Sequence, residues 1–189
     1  MYTNSAYWHQ SRVDFKDKKH SLFVGSCGTY RLYTVKKLPT HRPRGRVDYQ
    51  LLYIASGKAH FYFNGKEQVV SAGNMVLYRP KEEQRYYYYG AEHPEVYWVH
   101  FTGNNVKNIL RKYGIADDVH VICSGISMEY KQLYQNMIQE LQLKQEDYEE
   151  LLVNYLRQLF ILIHRQHLTK PRKKNPMIMD DMAQAVEYF

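Results

Sequence analysis

The sequence predicts an α+β fold: a double-stranded β-helix, or jelly-roll, barrel followed by an antiparallel α-helical segment. Three observations carry this. Residues 21–102 hold about seven short strand-like runs, separated by turn signals at near-regular spacing. After Gly103 the apolar residues change to helical spacing. The chain has 189 residues, 44% of them hydrophobic, enough to bury one core and too many for a disordered chain.

Residues 1–20 read as an arm. Tyr7, Trp8 and Phe15 are scattered among polar residues without a clear period. The strands follow at 30–35, 47–55, 60–63, 68–71, 75–78, 85–89 and 96–101. Asn64-Gly65 is the strongest hairpin signal, because both residues accept φ > 0. Ala72-Gly73-Asn74 is a second turn, and Pro80 ends the strand after it. Together, residues 21–102 form the barrel domain. Nineteen tyrosines suit strands with half-wet faces or a polar-lined cavity.

Residues 103–167 form the helical segment. A short helix at 105–113 stops at Gly114. A second begins near Met128, with Tyr130, Leu133, Met137, Ile138 and Leu141 at helical spacing. A third starts near Glu146 or Asp147 and carries Leu151, Leu152, Tyr155, Leu156, Leu159, Phe160 and Ile163. This last helix also carries Val153, Ile161 and Leu162, more apolar surface than one stripe requires. Either this helix is buried on two sides within its own domain, or it shares its second face with a partner, and two antiparallel helices over one small barrel cannot easily cover two sides of it. A partner chain is therefore expected on the second face, with Asn154 at the seam setting register. The expected homodimer interface is Leu151, Asn154, Tyr155, Gln158 and Ile161.

The formal net charge is +7. Arg165, Lys170, Arg172, Lys173 and Lys174 fall in residues 164–176 with no acid among them, so the rest of the chain is near balance. Residues 168–176 read as a basic linker, either solvated or touching phosphates. Met177, Ile178, Met182, Val186 and Phe189 open another helical pattern, expected to start a domain that continues beyond residue 189. No apolar leader and no run of about eighteen apolar residues is visible. Cys27 and Cys123 suit reduced thiols. The expectation is a soluble cytoplasmic protein with no membrane partner.

Enzyme motifs are missing. A metal-dependent barrel enzyme needs a close histidine pair with a carboxylate, commonly His-x-His on one strand. Here His60, His93, His100 and His120 stand alone, and His164 and His167 lie at the last helix. No P-loop, G-x-G-x-x-G or G-x-S-x-G occurs. No catalytic residues, no metal and no cofactor are expected.

Several segments in order resemble one family. Arg42-Pro43-Arg44-Gly45-Arg46-Val47-Asp48-Tyr49-Gln50-Leu51 and then Tyr53-Ile54-Ala55-Ser56-Gly57 look like the first characteristic stretch of the cupin domain in bacterial AraC/XylS transcription regulators. Ala72-Gly73-Asn74-Met75-Val76-Leu77-Tyr78-Arg79-Pro80 is similar to that family's glycine-aspartate strand, with Asn74 for the usual aspartate. The stretch from Tyr89-Gly90 to Trp98-Val99-His100-Phe101 resembles the arabinose-responsive members, as does the helix from Leu151 to Leu159. The resemblance spans roughly residues 20–189.

It implies a cupin-like effector-binding domain, a dimer helix, and DNA contact through a helix-turn-helix domain of which residues 177–189 are the start. It also implies a pocket. Arg42 matches an arginine that hydrogen-bonds a sugar, a role its planar, permanently charged fork suits. Trp98 matches a tryptophan that stacks on the sugar ring. Tyr89 matches a pocket tyrosine, though a one-residue slip would put Tyr88 there instead. Gly28 or Thr29 falls near a pocket threonine. Val96 stands where the arabinose-responsive members have a histidine, and Arg46 stands near a methionine. These departures point to a guest more hydroxylated, larger or more acidic than arabinose. Trp8 or Phe15 of the arm is expected to close over the guest. The effector is read as a saccharide. The competing readings are a cupin-type sugar isomerase and a stand-alone carbohydrate-binding domain.

Overall fold

The computed structural model describes residues 1–9 and 15–169, with backbone alone at Thr169. Among the described residues, ten strands form two sheets. One sheet has six strands: β1 (Tyr2–Tyr7), β2 (Phe23–Arg31), β9 (Glu95–Thr102), β4 (Tyr49–Ser56), β7 (Asn74–Tyr78) and β10 (Val121–Cys123), in that spatial order. The other has four: β3 (Lys37–Arg42), β8 (Gln84–Tyr89), β5 (Lys58–Phe63) and β6 (Lys66–Ser71). Every neighbouring pair is antiparallel. The two sheets face each other as a cupin-like jelly roll, and three helices cover the outer face of the larger one.

Alternation along the strands builds this arrangement. In β4, Leu51 and Tyr53 face the helices, while Leu52 and Ile54 face the smaller sheet. In β9, Tyr97, Val99 and Phe101 face the helices, and Val96 and Trp98 point between the sheets. Strands buried on both faces read as near-continuous apolar runs, as β4 and β9 do. Asn64 (φ 52°) and Gly65 (φ 74°) make the tight β5–β6 hairpin that their sequence predicts.

Three strands were not predicted. Residues 2–7, read as an arm, add β1 to the sheet edge through six residue pairs with β2. Their composition carries no strand period, so the open edge of β2 supplies the order. β3 alternates exposed with half-buried residues. β10 is three residues long. The strand expected at 30–35 lies earlier, at 23–31, because Gly25, Ser26 and Gly28 weaken its sequence signal.

The helices are α1 (Val106–Lys112), α2 (Met128–Leu143) and α3 (Tyr148–Thr169). Ser127 caps α2, its hydroxyl accepting from Glu129 N at 3.1 Å. Tyr130, Leu133, Tyr134, Met137, Ile138 and Leu141 bury the inner face of α2. Buried Glu95 ties α2 to the sheet, accepting from Lys131 Nζ at 2.8 Å, Arg31 Nη2 at 2.7 Å and the Tyr97 hydroxyl at 2.8 Å. Leu152, Leu156, Leu159, Phe160 and Ile163 bury one stripe of α3. Most of the basic linker and the helix start read after it lie outside the described residues. Among the described residues, no helix is long and apolar enough to cross a membrane.

Candidate functional site: a polar cavity in one end of the barrel

The space between the sheets is filled at one end and open at the other. The inward positions on neighbouring strands form layers. Tyr30, Ile54 and Val96 form the innermost layer, where Ile54 and Val96 pack with Leu32, Phe61 and Tyr88. One layer outward are Gly28, Leu52 and Trp98. The third layer is Ser26, Gln50 and His100, all polar. On the smaller sheet, Thr40 pairs with Tyr86 and Arg42 with Gln84. The inward register therefore runs from apolar to polar along each strand. At its polar end lies a cavity of about 510 Å³, within the range of small-molecule sites.

Trp98 forms part of the wall, flanked by Tyr7 of β1 (centroids 6.2 Å apart) and His100 (5.1 Å). The absent side chain of Gly28 makes room for it: a Cβ there would lie 2.5 Å from Trp98 Cζ2. Arg42 also lines the cavity, donating from Nη1 to Gln84 Oε1 at 3.0 Å. Arg46 forks onto Asp48, with Nε–Oδ1 at 2.7 Å and Nη2–Oδ2 at 2.9 Å, both side chains nine-tenths buried or more. Burial raises the Asp48 pKa, yet Arg46 and His100 together outweigh it and hold the carboxyl below the usual range. His100 Nδ1 is 3.6 Å from Asp48 Oδ1, too long for a hydrogen bond. Two buried polar atoms of the lining, Gln50 Oε1 and His100 Nδ1, have no hydrogen-bond partner among the described residues.

Arm residues complete the wall. Trp8 and Phe15 both line the cavity, their rings 5.1 Å apart. Trp8 also reaches away from it: its indole N–H donates to Glu149 Oε1 at 2.6 Å in the first turn of α3, and Lys144 Nζ donates to its carbonyl at 2.9 Å.

Of the residues singled out from sequence, Arg42, Arg46, Trp98 and Trp8 meet at this cavity, and Gly28 adjoins it behind Trp98. Three do not reach it. Tyr89 points to the outer face of the smaller sheet, with its ring against His60 and Tyr87. Strand alternation instead turns Tyr86 and Tyr88 inward; Tyr86 reaches the cavity and Tyr88 is fully buried in the plug. Val96 faces inward but lies in the plugged layer. Thr29 pairs with Tyr97 and so shares the helix-facing side of β2 with Cys27. Sequence reasoning missed Ser26, Asp48, Gln50, Tyr86 and His100. A signal was present for two of them: Gln50 is a polar residue in step with Leu52 and Ile54, and His100 is in step with Trp98.

The proposed dimer residues lie along one side of α3. Leu151, Asn154 and Gln158 are exposed, and Tyr155 and Ile161 half-buried. Val153 and Leu162, read as surplus, pack partly against the chain's own core, and so does Tyr155, expected at the dimer seam.

The buried lining makes the barrel acid-sensitive. Burial pushes the His100 pKa below its ordinary value of 6.5, more than Asp48 pulls it up. Below pH 6.5 the unfolded chain therefore binds a proton that the folded chain refuses, and stability falls with pH down to the folded value. Asp48 adds a second loss lower down: its contribution is complete above the unfolded value of 3.8 and disappears as pH falls through the folded one. The unfolding midpoint is expected to drop between pH 7 and 5, and His100→Gln to flatten that slope. An equal slope in wild type and variant would count against this account.

The fold and its cavity define a cupin-type barrel with room for a small molecule. The chain belongs to the family described as the AraC-like ligand binding domain, whose model matches residues 24–168. Among solved structures it is similar to apo ToxT K231A from Vibrio cholerae: 14% identity, TM-score 0.51, covering 91% of this chain and 66% of that one. It is also similar to unsaturated fatty acid-bound wild-type ToxT from Vibrio cholerae (15% identity, TM-score 0.44, 78% and 54% covered). A third is the AraC-like transcriptional activator CuxR (9% identity, TM-score 0.45, 82% and 55% covered). At these identities the likeness is one of fold, and the chain spans about half to two thirds of these three proteins. No curated protein is similar enough in sequence to count as a relative.

Proposed function

We propose that this chain is the effector-sensing and dimerisation part of an AraC-type transcription regulator acting in the cytoplasm. The effector is a saccharide held in the barrel cavity. Two copies join through α3, and DNA is contacted by a helix-turn-helix domain. The observation that carries the saccharide reading is the cavity lining. It pairs an aromatic wall, Trp98 with Trp8 and Tyr86, with buried polar atoms that lack partners among the described residues, Gln50 Oε1 and His100 Nδ1. A ring with one apolar face and several hydroxyls, each both donor and acceptor, satisfies both. Calorimetric titration with a panel of sugars is expected to show saturable binding at one site per chain. Failure of every sugar, with an unsaturated fatty acid binding instead, would replace the saccharide with a lipid.

Trp8 supplies a path from this site to α3. Its ring touches the cavity and its indole N–H holds Glu149. A guest resting on the ring favours the arrangement in which that bond is made, a population shift between two presentations of the dimer helix. Saccharide binding is expected to slow amide exchange across residues 148–156 in wild type. Trp8→Phe keeps an aromatic ring, though a smaller one, and deletes the donor, so the slowing should vanish; its persistence would disprove the path.

A further inference from the structure

We propose that the effector is an acidic saccharide of the uronic acid type, its carboxylate gripped by the Arg42 guanidinium. The inference rests on the saccharide reading of the cavity and narrows it.

The two arginines of the cavity are in different states. Arg46 is forked onto Asp48 at 2.7 and 2.9 Å, and both side chains are buried. Its charge is answered by a carboxylate of the chain itself. Arg42, by contrast, has one hydrogen-bond partner among the described residues, the neutral amide of Gln84, and no acid. Gln84 lies fully buried with Oε1 turned to Arg42, while its Nε2 has no partner among the described residues. That orientation fits an amide set by a standing positive charge. Asp48 is the one carboxylate among the described lining residues, and it is already matched to Arg46.

Arg42 is fixed in place by the strand that carries it. It pairs with Gln84 at the end of β3, on the same inward side as Thr40 and Leu38, all three lining the cavity. One N–H goes to Gln84, and further donors of a planar fork remain. A guest that enters displaces water from this end of the cavity. With a neutral sugar the guanidinium would keep one or two hydroxyl contacts and lose hydration without a compensating charge. A carboxylate accepts two parallel N–H bonds and cancels the charge, the stronger arrangement on both counts. The hydroxyls of the same ring are left for Gln50, His100 and Thr40, and the ring face for Trp98.

The test compares neutral sugars with their own uronates, galactose with galacturonate and glucose with glucuronate, by calorimetry on the 189-residue chain. At least one uronate is expected to bind about tenfold or more tightly than its parent, the scale of a charged hydrogen-bond pair, with affinity falling as salt rises. Arg42→Gln should erase that preference, and Arg42→Lys, which keeps the charge without the fork, should retain part of it. Circular dichroism checks that the variants fold; if they do not, the wild-type ratio and its salt dependence still decide. Neutral sugars binding as tightly as their uronates would overturn the carboxylate and leave the saccharide reading standing. No binding by any sugar would remove the saccharide reading, and this inference with it.

Discussion

Gly28→Ala is expected to destabilise the barrel and abolish saccharide binding together. Gly28 lies directly across from Trp98 in the β2–β9 pairing. A methyl group there would sit 2.5 and 2.7 Å from two atoms of the indole and 2.9 Å from Ser5 Cβ of β1. No such distance is tolerable, so either the indole swings into the cavity or β1 leaves the sheet edge. Overpacking of this kind costs about 1–3 kcal/mol. The sign is diagnostic: an alanine that fitted would stabilise the strand by about 0.5–1 kcal/mol relative to glycine. Thermal unfolding and indole fluorescence, with titration of whichever sugar binds the wild type, read the outcome. A variant as stable as wild type, binding as well, would show that Trp98 does not depend on this contact.

The second large effect concerns the dimer. Wild type is expected to sediment as a dimer, and Leu151→Lys with Ile161→Lys to convert it to a folded monomer. The two stripes of α3 separate these outcomes. Leu152, Leu156, Leu159, Phe160 and Ile163 are buried within the chain, so charging Leu151 and Ile161 leaves its own core intact. Leu151, at 38% exposure, stands with Asn154 and Gln158 on the open side, and Tyr155 and Ile161 flank them. Lysines in such a seam bring like charges together in a dehydrated space, a loss on the order of several kcal/mol. Unchanged circular dichroism is part of the expected result. A wild type that stays monomeric at every concentration would remove α3 as the joining surface.

Much of this molecule is legible before it folds. The strand-to-helix change at Gly103, the Asn64-Gly65 hairpin, the inner stripe of α2 and the apolar runs of β4 and β9 follow from spacing and turn chemistry. So does the pairing of Arg42 with Trp98 as candidate wall residues, through resemblance. The four consecutive tyrosines show where legibility stops. In Tyr86-Tyr87-Tyr88-Tyr89 every residue is equally suited to either face, and a period of two offers two registers with nothing local to choose between them. The pairing of β8 with β3 and β5 turns Tyr86 and Tyr88 inward and leaves Tyr87 and Tyr89 outside.

The amino-acid order alone determined the two-part architecture, the hairpin and the absence of a histidine pair, because each depends on neighbours a few residues apart. Only the tertiary structure decided depth: which inward residues fill the barrel and which line its open end. Val96 and His100 lie on the same side of one strand, yet Val96 is walled in by Ile54 and Tyr88 while His100 borders the cavity. Depth is a property of the opposite sheet and of the arm laid across the end, and those contacts join residues far apart in the chain.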